Sequence, residues 1–168
     1  MPPKAAAAPA VLPVEKKEGA KVVYMTVPLV EGEVLKVSLN PTCRTDILVD
    51  SALQQLSREA AKRATSLESS ISAAKVAAGD RDSNGEAGDA STPSWLQDEA
   101  LLARLKEIAK ALATTASVNN VELVEVSNGA KTSLGGALLA QVASEILRPS
   151  GVYGICVLPS DGGPSVPV

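Results

Sequence analysis

The sequence has no histidine and no phenylalanine, and its only aromatic residues are Tyr24, Trp95 and Tyr153. Without histidine, the chain lacks the commonest general base and the commonest metal ligand in proteins. Three aromatic side chains are too few for a surface that stacks nucleic-acid bases, and a formal charge of −3 does not favour a polyanion binder. We therefore expect neither an enzyme nor a nucleic-acid-binding protein, and no metal or other cofactor.

Cysteines and long apolar runs are also scarce. Cys43 and Cys156 lie far apart and match no zinc or redox spacing, so we predict free, packed thiols in a reducing compartment. No apolar run approaches the roughly 20 residues that span a bilayer. The N-terminus has prolines where a signal peptide needs an apolar helix. These features predict a cytoplasmic protein that does not act on a membrane or a small-molecule substrate.

The chain is rich in small aliphatic residues, and its 168 residues suffice for one domain. Residues 1–20 are a Pro/Ala/Lys/Glu tail, predicted to be disordered or to order on a partner. Residues 21–158 are predicted to form one domain, interrupted by a helical insertion at about 65–117 that contains a mobile acidic loop, 79–91. Residues 159–168 are predicted to be a flexible C-terminal tail.

Within the domain, two alternating segments, Lys21–Val30 and Val34–Leu39, predict a β-hairpin. A helical stripe then runs from Thr45 or Asp46, the predicted N-cap, to Gly79. A second helix should begin at Thr92-Pro93 and fold back on the first as a helical hairpin. Later segments predict a strand at 120–126, a turn at Asn128-Gly129, a helix at 137–147 and a final strand at 152–158.

Without the insertion, this order is strand, strand, helix, strand, short helix, strand. It predicts an α+β fold of the ubiquitin-like β-grasp type, with a mixed sheet of about four strands. The final strand is apolar on both faces, so we expect it in the centre of the sheet, parallel to the first. The alternative is a ferredoxin-like sheet, in which the helix around Leu101 forms a layer of its own.

Three segments resemble a family of small, uncharacterised ubiquitin-like proteins of ciliated organisms, typified by open-reading-frame products of the human X chromosome and chromosome 22. They are VSLNPTCRTDILVDSALQQL with its Asn-x-x-Cys junction, VELVEVSNGAKTSL, and ASEILRPSGVYGICVL. The N-terminal tail and the helical insertion depart from the family and inherit no role from it. The resemblance implies a non-catalytic, cytoplasmic interaction protein of the cilium or flagellum, built into the axoneme with other axonemal or microtubule-associated proteins.

Three motifs suggest other chemistry. The stretch GAKTSLGG (129–136) resembles a phosphate-binding loop but lacks its glycine spacing, so we predict a hairpin turn. Cys43 precedes a helix, where a thiol can become nucleophilic, but no histidine exists to pair with it. Gly162-Gly163 follows the last strand, as in a ubiquitin-like modifier cleaved after Gly163, although Pro164 disfavours cleavage there. The modifier is one alternative function, and a soluble ubiquitin-like signalling adaptor is another.

The leading hypothesis is an axonemal connector that docks through its tail and its helical insertion. The basic pair in the tail could meet an acidic surface, and the apolar stripe of the long helix extends farther than a small domain can cover. Trp95 is expected to pack within the helical hairpin or to anchor a partner. The candidate interface residues are Lys16, Lys17, Leu67, Ile71, Trp95, Leu101 and Leu105.

Overall fold

The computed structural model describes residues 21–30, 32–79, 94–158 and 166–167. The predicted N-terminal tail, nearly all of the acidic loop and most of the C-terminal tail lie outside these residues. The strands are β1 Val23–Pro28, β2 Val34–Leu39, β3 Val121–Glu125, β4 Lys131–Ser133, β5 Val152–Val157 and β6 Val166–Pro167. The helices are α1 Thr45–Gly79, α2 Ser94–Thr114, a 3-10 helix Gly136–Ala140, and α3 Ala143–Ile146.

The strands form one mixed sheet in the order β2-β1-β5-β3-β4, and β6 pairs with the end of β5. β1 and β2 are the predicted antiparallel hairpin. β5 runs parallel to β1 and antiparallel to β3, which confirms its predicted central position. The prediction of about four strands was wrong, because β4 and β6 had not been identified. The fold is therefore α+β with a mixed sheet.

One face of the sheet carries the core. The strands β2, β3 and β5 alternate between buried and more exposed positions, and β1 buries the apolar Val23, Met25 and Val27 on this face, while its Thr26 is also buried. The first half of α1 lies over this face and buries Leu48, Leu56 and other apolar side chains at the spacing of a helical stripe. Burial of this stripe against the sheet is what holds α1 in place.

The second half of α1 extends past the sheet and pairs with α2. Two ion pairs tie the helices together, from Lys106 Nζ to Glu68 Oε1 at 2.9 Å and from Lys75 Nζ to Glu99 Oε1 at 2.5 Å. The predicted helical hairpin is thus confirmed. α2 packs mainly on α1 and forms no separate layer on the sheet, so this arrangement differs from the ferredoxin-like alternative.

The single helix predicted at 137–147 was wrong. The structure has a 3-10 helix and the four-residue α3, separated at Gln141 and Val142. At this break the chain bonds to the start of α1, because the Thr45 amide donates to Gln141 O at 2.9 Å and the Ala143 amide donates to Cys43 O at 2.9 Å. The Thr45 hydroxyl also donates to Gln141 O, at 3.0 Å, so it does not act as the predicted helix cap.

Candidate interaction surfaces

Cys43 lies at the join between β2 and α1, where a reactive thiol was considered. Its side chain is half-buried and packs against the core, and its sulfur lies 3.7 Å from Asn40 O. The neighbouring backbone is occupied by the bond from Ala143 to Cys43 O. This arrangement is that of a packed thiol at a joint between elements, as the sequence predicted.

The segment 129–136 begins in the turn of the β3–β4 hairpin and contains β4, and it does not form a phosphate-binding loop. Gly129 has φ of +68°, which suits the turn that joins β3 to β4. Lys131, the lysine that would have to reach a phosphate, lies on β4 and pairs with Glu122 Oε2 at 3.5 Å. The predicted hairpin turn is therefore confirmed.

Glu125 is the one carboxylate among the described residues that is buried. Its Oε1 accepts hydrogen bonds from Ser127 Oγ at 3.0 Å and Arg148 Nη1 at 3.3 Å, while Oε2 accepts one from Asn128 Nδ2 at 2.9 Å. These donors satisfy both oxygens and fix the turn after β3. Such a carboxylate supports the structure.

No group of three or more metal-ligating side chains occurs among the described residues. The helices of the same part of the chain include none that is long and apolar enough to cross a bilayer.

The projecting half of the helical hairpin carries two adjoining shallow cavities of about 450 and 200 Å³. Leu101 and Glu33 line both of them, and Leu67 lines the smaller one. Leu67 and Leu101 are half-buried. The structure therefore brings these two predicted interface residues together in one groove, between the helical hairpin and the turn that joins β1 to β2.

The other interface candidates are placed differently. Ile71 is 5% exposed and Leu105 is 1% exposed, so the chain's own residues bury both side chains, although Leu105 also lines the smaller cavity beside Leu67 and Leu101. Trp95 is half-buried at the end of the hairpin, with Lys75 Nζ 5.1 Å from the centre of its ring. Lys16 and Lys17 lie outside the described residues.

The opposite face of the sheet has no helix of the described part of the chain packed on it, because α1, α2, α3 and the 3-10 helix all contribute to the core on the other face. Tyr24, Val124, Val152 and Cys156 are half-buried there. Burial, and then the Glu122 carboxylate, raise the pKa of the Cys156 thiol, while Lys131 partly opposes them. We call this surface the open face.

No protein-family model, curated protein or solved structure matches this chain. The surfaces therefore have to be judged by their own chemistry.

Sequence reasoning missed a cluster of cations at the edge of the sheet. Lys36 on β2 and Arg58 and Lys62 on α1 line one shallow cavity of about 350 Å³. Arg58 and Lys62 are four residues apart and so share a helix face, which was readable in advance. Their proximity to Lys36 depends on the packing of α1 against β2, which the sequence pattern does not give.

Proposed function

We propose that this chain is a ubiquitin-like β-grasp module that acts as a non-catalytic connector in the ciliary or flagellar axoneme. The strand order β2-β1-β5-β3-β4, with β5 central and parallel to β1 and with α1 over one face, is the observation that carries the architectural part. The axonemal location is supported by the resemblance of three sequence segments to the family of ubiquitin-like proteins of ciliated organisms.

Docking is assigned to the projecting half of the helical hairpin. The half-buried Leu67 and Leu101 supply apolar contact area, and Glu33 and Asp98 at the groove supply charge that can select a partner. Such a connector needs no reaction chemistry, only a surface held rigidly by its fold. The ion pairs between α1 and α2 help to hold that surface.

Extraction of axonemes from cells that express the tagged full-length chain tests this function. A connector should stay with the microtubules after treatment with detergent and moderate salt, whereas a signalling adaptor should be released by detergent alone. Leu101→Glu should increase release by salt, because it places a charge in the apolar groove. Val126→Glu is the matched control: Val126 is 61% exposed and lies just beyond β3, away from the groove. Equal release of all three proteins by detergent would overturn the proposal.

The intact mass of the extracted protein tests the modifier alternative in the same sample. A modifier would end at Gly163 and would also appear in higher-mass adducts. The structure gives a reason to expect retention of the following residues, since Val166–Pro167 pairs with Cys156 and Val157 at the end of β5. A mass that includes residues 164–168 would therefore support the connector over the modifier.

A further inference from the structure

β2 is an edge strand whose outer side has no partner strand among the described residues. The Leu29 amide donates to Glu33 O at 2.9 Å, and the next residue pair along the hairpin is Pro28 opposite Val34. Bonded and non-bonded pairs alternate in an antiparallel ladder, and Pro28 has no N–H to give, so this pair is a non-bonded one. The backbone groups that face away from β1 are therefore those of Val34, Lys36 and Ser38.

Positive charge lies along the same edge. Lys36, Arg58 and Lys62 line the cavity between β2 and α1. Glu59 is the only carboxylate among the described residues that line it, and it pairs with Lys62 Nζ at 2.8 Å. Arg58 makes no ion pair with a described residue. Lys36 Nζ lies 3.9 Å from the centre of the Tyr24 ring, and Lys36 makes no ion pair with a described residue. Lys36 and Arg58, beside the edge, thus have no anionic partner among the described residues.

Another carboxylate lines a cavity with Arg58. Asp50 lines a neighbouring cavity together with Arg58, but it accepts a hydrogen bond from Gln54 Nε2 at 2.8 Å. Asp50 does not line the cavity beside β2, whereas Arg58 does.

We propose that the β2 edge binds an extended acidic segment of a partner protein as an additional strand of the sheet. The outward N–H and C=O groups of β2 provide the main-chain hydrogen bonds. Lys36 on the open face and Arg58 on the α1 side meet carboxylates on the two faces of the added strand, because successive side chains point to opposite faces. This inference rests on the role as an interaction module but not on an axonemal location.

A second copy of the chain is a poorer occupant of this edge. Two β2 strands paired antiparallel about a two-fold axis would bring the Lys36 side chains of both copies close together on the open face. Like charges on adjacent strands are destabilising, so the edge disfavours its own copy and favours an anionic strand.

Peptide binding to the purified full-length protein tests the proposal. The probe is a fluorescent nine-residue peptide in which Glu alternates with Val or Thr, and its matched partner has Gln in place of every Glu. We expect the Glu peptide to bind, with affinity that falls as salt is raised, and the Gln peptide to bind at least fivefold more weakly. Amide signals of Val34, Lys36 and Ser38 should shift and become protected from exchange.

Two further comparisons separate strand addition from general charge attraction. Two N-methylated peptides are compared. Methylation of the alternate amides that point toward β2 should abolish binding, whereas methylation of the amides that point away from β2 should be tolerated. Lys36→Glu and Arg58→Glu should each lower affinity about fivefold, the scale of one exposed ion pair. Lys110→Glu makes the same change of charge at an exposed cation of α2 that does not line the cavity, and should have little effect.

The proposal fails if the two peptides bind equally, if both N-methylated peptides still bind, or if Lys110→Glu weakens binding as much as the edge variants. It also fails if the free protein dimerises through β2, seen as a concentration-dependent mass in sedimentation. Each of these results would leave the axoneme extraction test intact, so failure of this inference is distinguishable from failure of the proposed function.

Discussion

A tyrosine fixes the turn that leads into the central strand. The Tyr153 hydroxyl accepts a hydrogen bond from the Arg148 amide at 2.8 Å, and the chain turns sharply between them through Ser150, whose φ is +60°. Gly151 lies against the edge of this ring, and its carbonyl accepts a bond from the Tyr24 amide at 2.9 Å. The turn thus sets the parallel pairing of β5 with β1.

Gly151→Ala should destabilise the protein by about 1–3 kcal/mol, the range for an overpacked site. Its new Cβ would lie 2.7 Å from Tyr153 Cε2 and 2.9 Å from Arg148 O, and neither can move freely, because the ring is held at its hydroxyl and the carbonyl is backbone. Urea denaturation measures the change in the free energy of unfolding.

The matched control is Gly135→Ala. Gly135 has open space around it and an extended φ of −141°, so alanine should alter stability by no more than about 0.5 kcal/mol. A Gly151→Ala protein that unfolds at the wild-type urea concentration would contradict the packing argument.

The environment of Cys156 predicts how the reactivity of its thiol depends on pH. Burial disfavours its thiolate, and Glu122, opposite it on β3, adds a negative charge, so both raise the pKa of the thiol. In a Cys43→Ala background, the pH at which alkylation of Cys156 by iodoacetamide reaches half of its maximal rate should be higher in the folded protein than in urea. The midpoint is compared and not the rate, because access also differs.

Two substitutions test the causes of this shift. Glu122→Gln should lower the midpoint of the folded protein, since it removes a charge that opposes the thiolate. Lys131→Gln should raise it, since Lys131 favours the thiolate. A folded midpoint at or below the unfolded one would show that the environment of Cys156 differs from the one described.

At the scale of elements, sequence periodicity predicts the strands and helices that bury only one side. β2, β3 and β5 alternate in burial, and the buried apolar residues of β1 fall at every second position, because one face packs on the core. α1 and α2 carry apolar stripes because each buries one side. β4 escaped notice because Lys131, Thr132 and Ser133 contain no apolar residue, and it exists only as the return strand of a turn. Its identity depends on pairing with β3, which is not a local property.

The break between the 3-10 helix and α3 was not predicted from the sequence for a similar reason. Helical spacing continues through 137–147, but the backbone at Gln141 and Val142 is used by the start of α1, and Arg44 forms a bridge with Val142. Long-range hydrogen bonds override local helix propensity here. A single sequence gives no sign of such a bond.

The candidate interface residues could also be predicted only in part from the sequence. An apolar stripe indicates that one face of a helix is buried, but not whether its own chain or a partner protein buries it. Ile71 and Leu105 are covered from within, whereas Leu67 and Leu101 border a groove. The cationic edge of β2 required the packing of α1 on the sheet before its members could be grouped.

At the scale of the whole molecule, α1 contributes to two parts of the structure. Its first half closes the core over the sheet, and its second half forms the projecting hairpin with α2. α2 is also shared, since Leu105, Ile108 and Leu112 near its end are part of the core. The core therefore includes the part of the predicted insertion at 65–117 that contains these three residues.

This arrangement predicts that the tip of the hairpin can be removed. A chain in which residues 66–103 are replaced by a short Gly/Ser linker keeps the core residues of α1 up to Ala64 and those of α2 from Leu105 onward. Packed helices lie roughly 8–10 Å apart, a gap that a few linker residues can span. We expect dispersed amide spectra and cooperative unfolding, with the groove at Leu67 and Leu101 lost.

Adding Ile108→Ala to the shortened chain is the matched control. Ile108 is 1% exposed, so its truncation should reduce the free energy of unfolding by about 2–5 kcal/mol. A shortened chain without dispersed signals would show that the tip is required for folding. A shortened chain that folds but is released from axonemes by salt would separate the two roles of α1, one half holding the domain together and the other holding it to its partner.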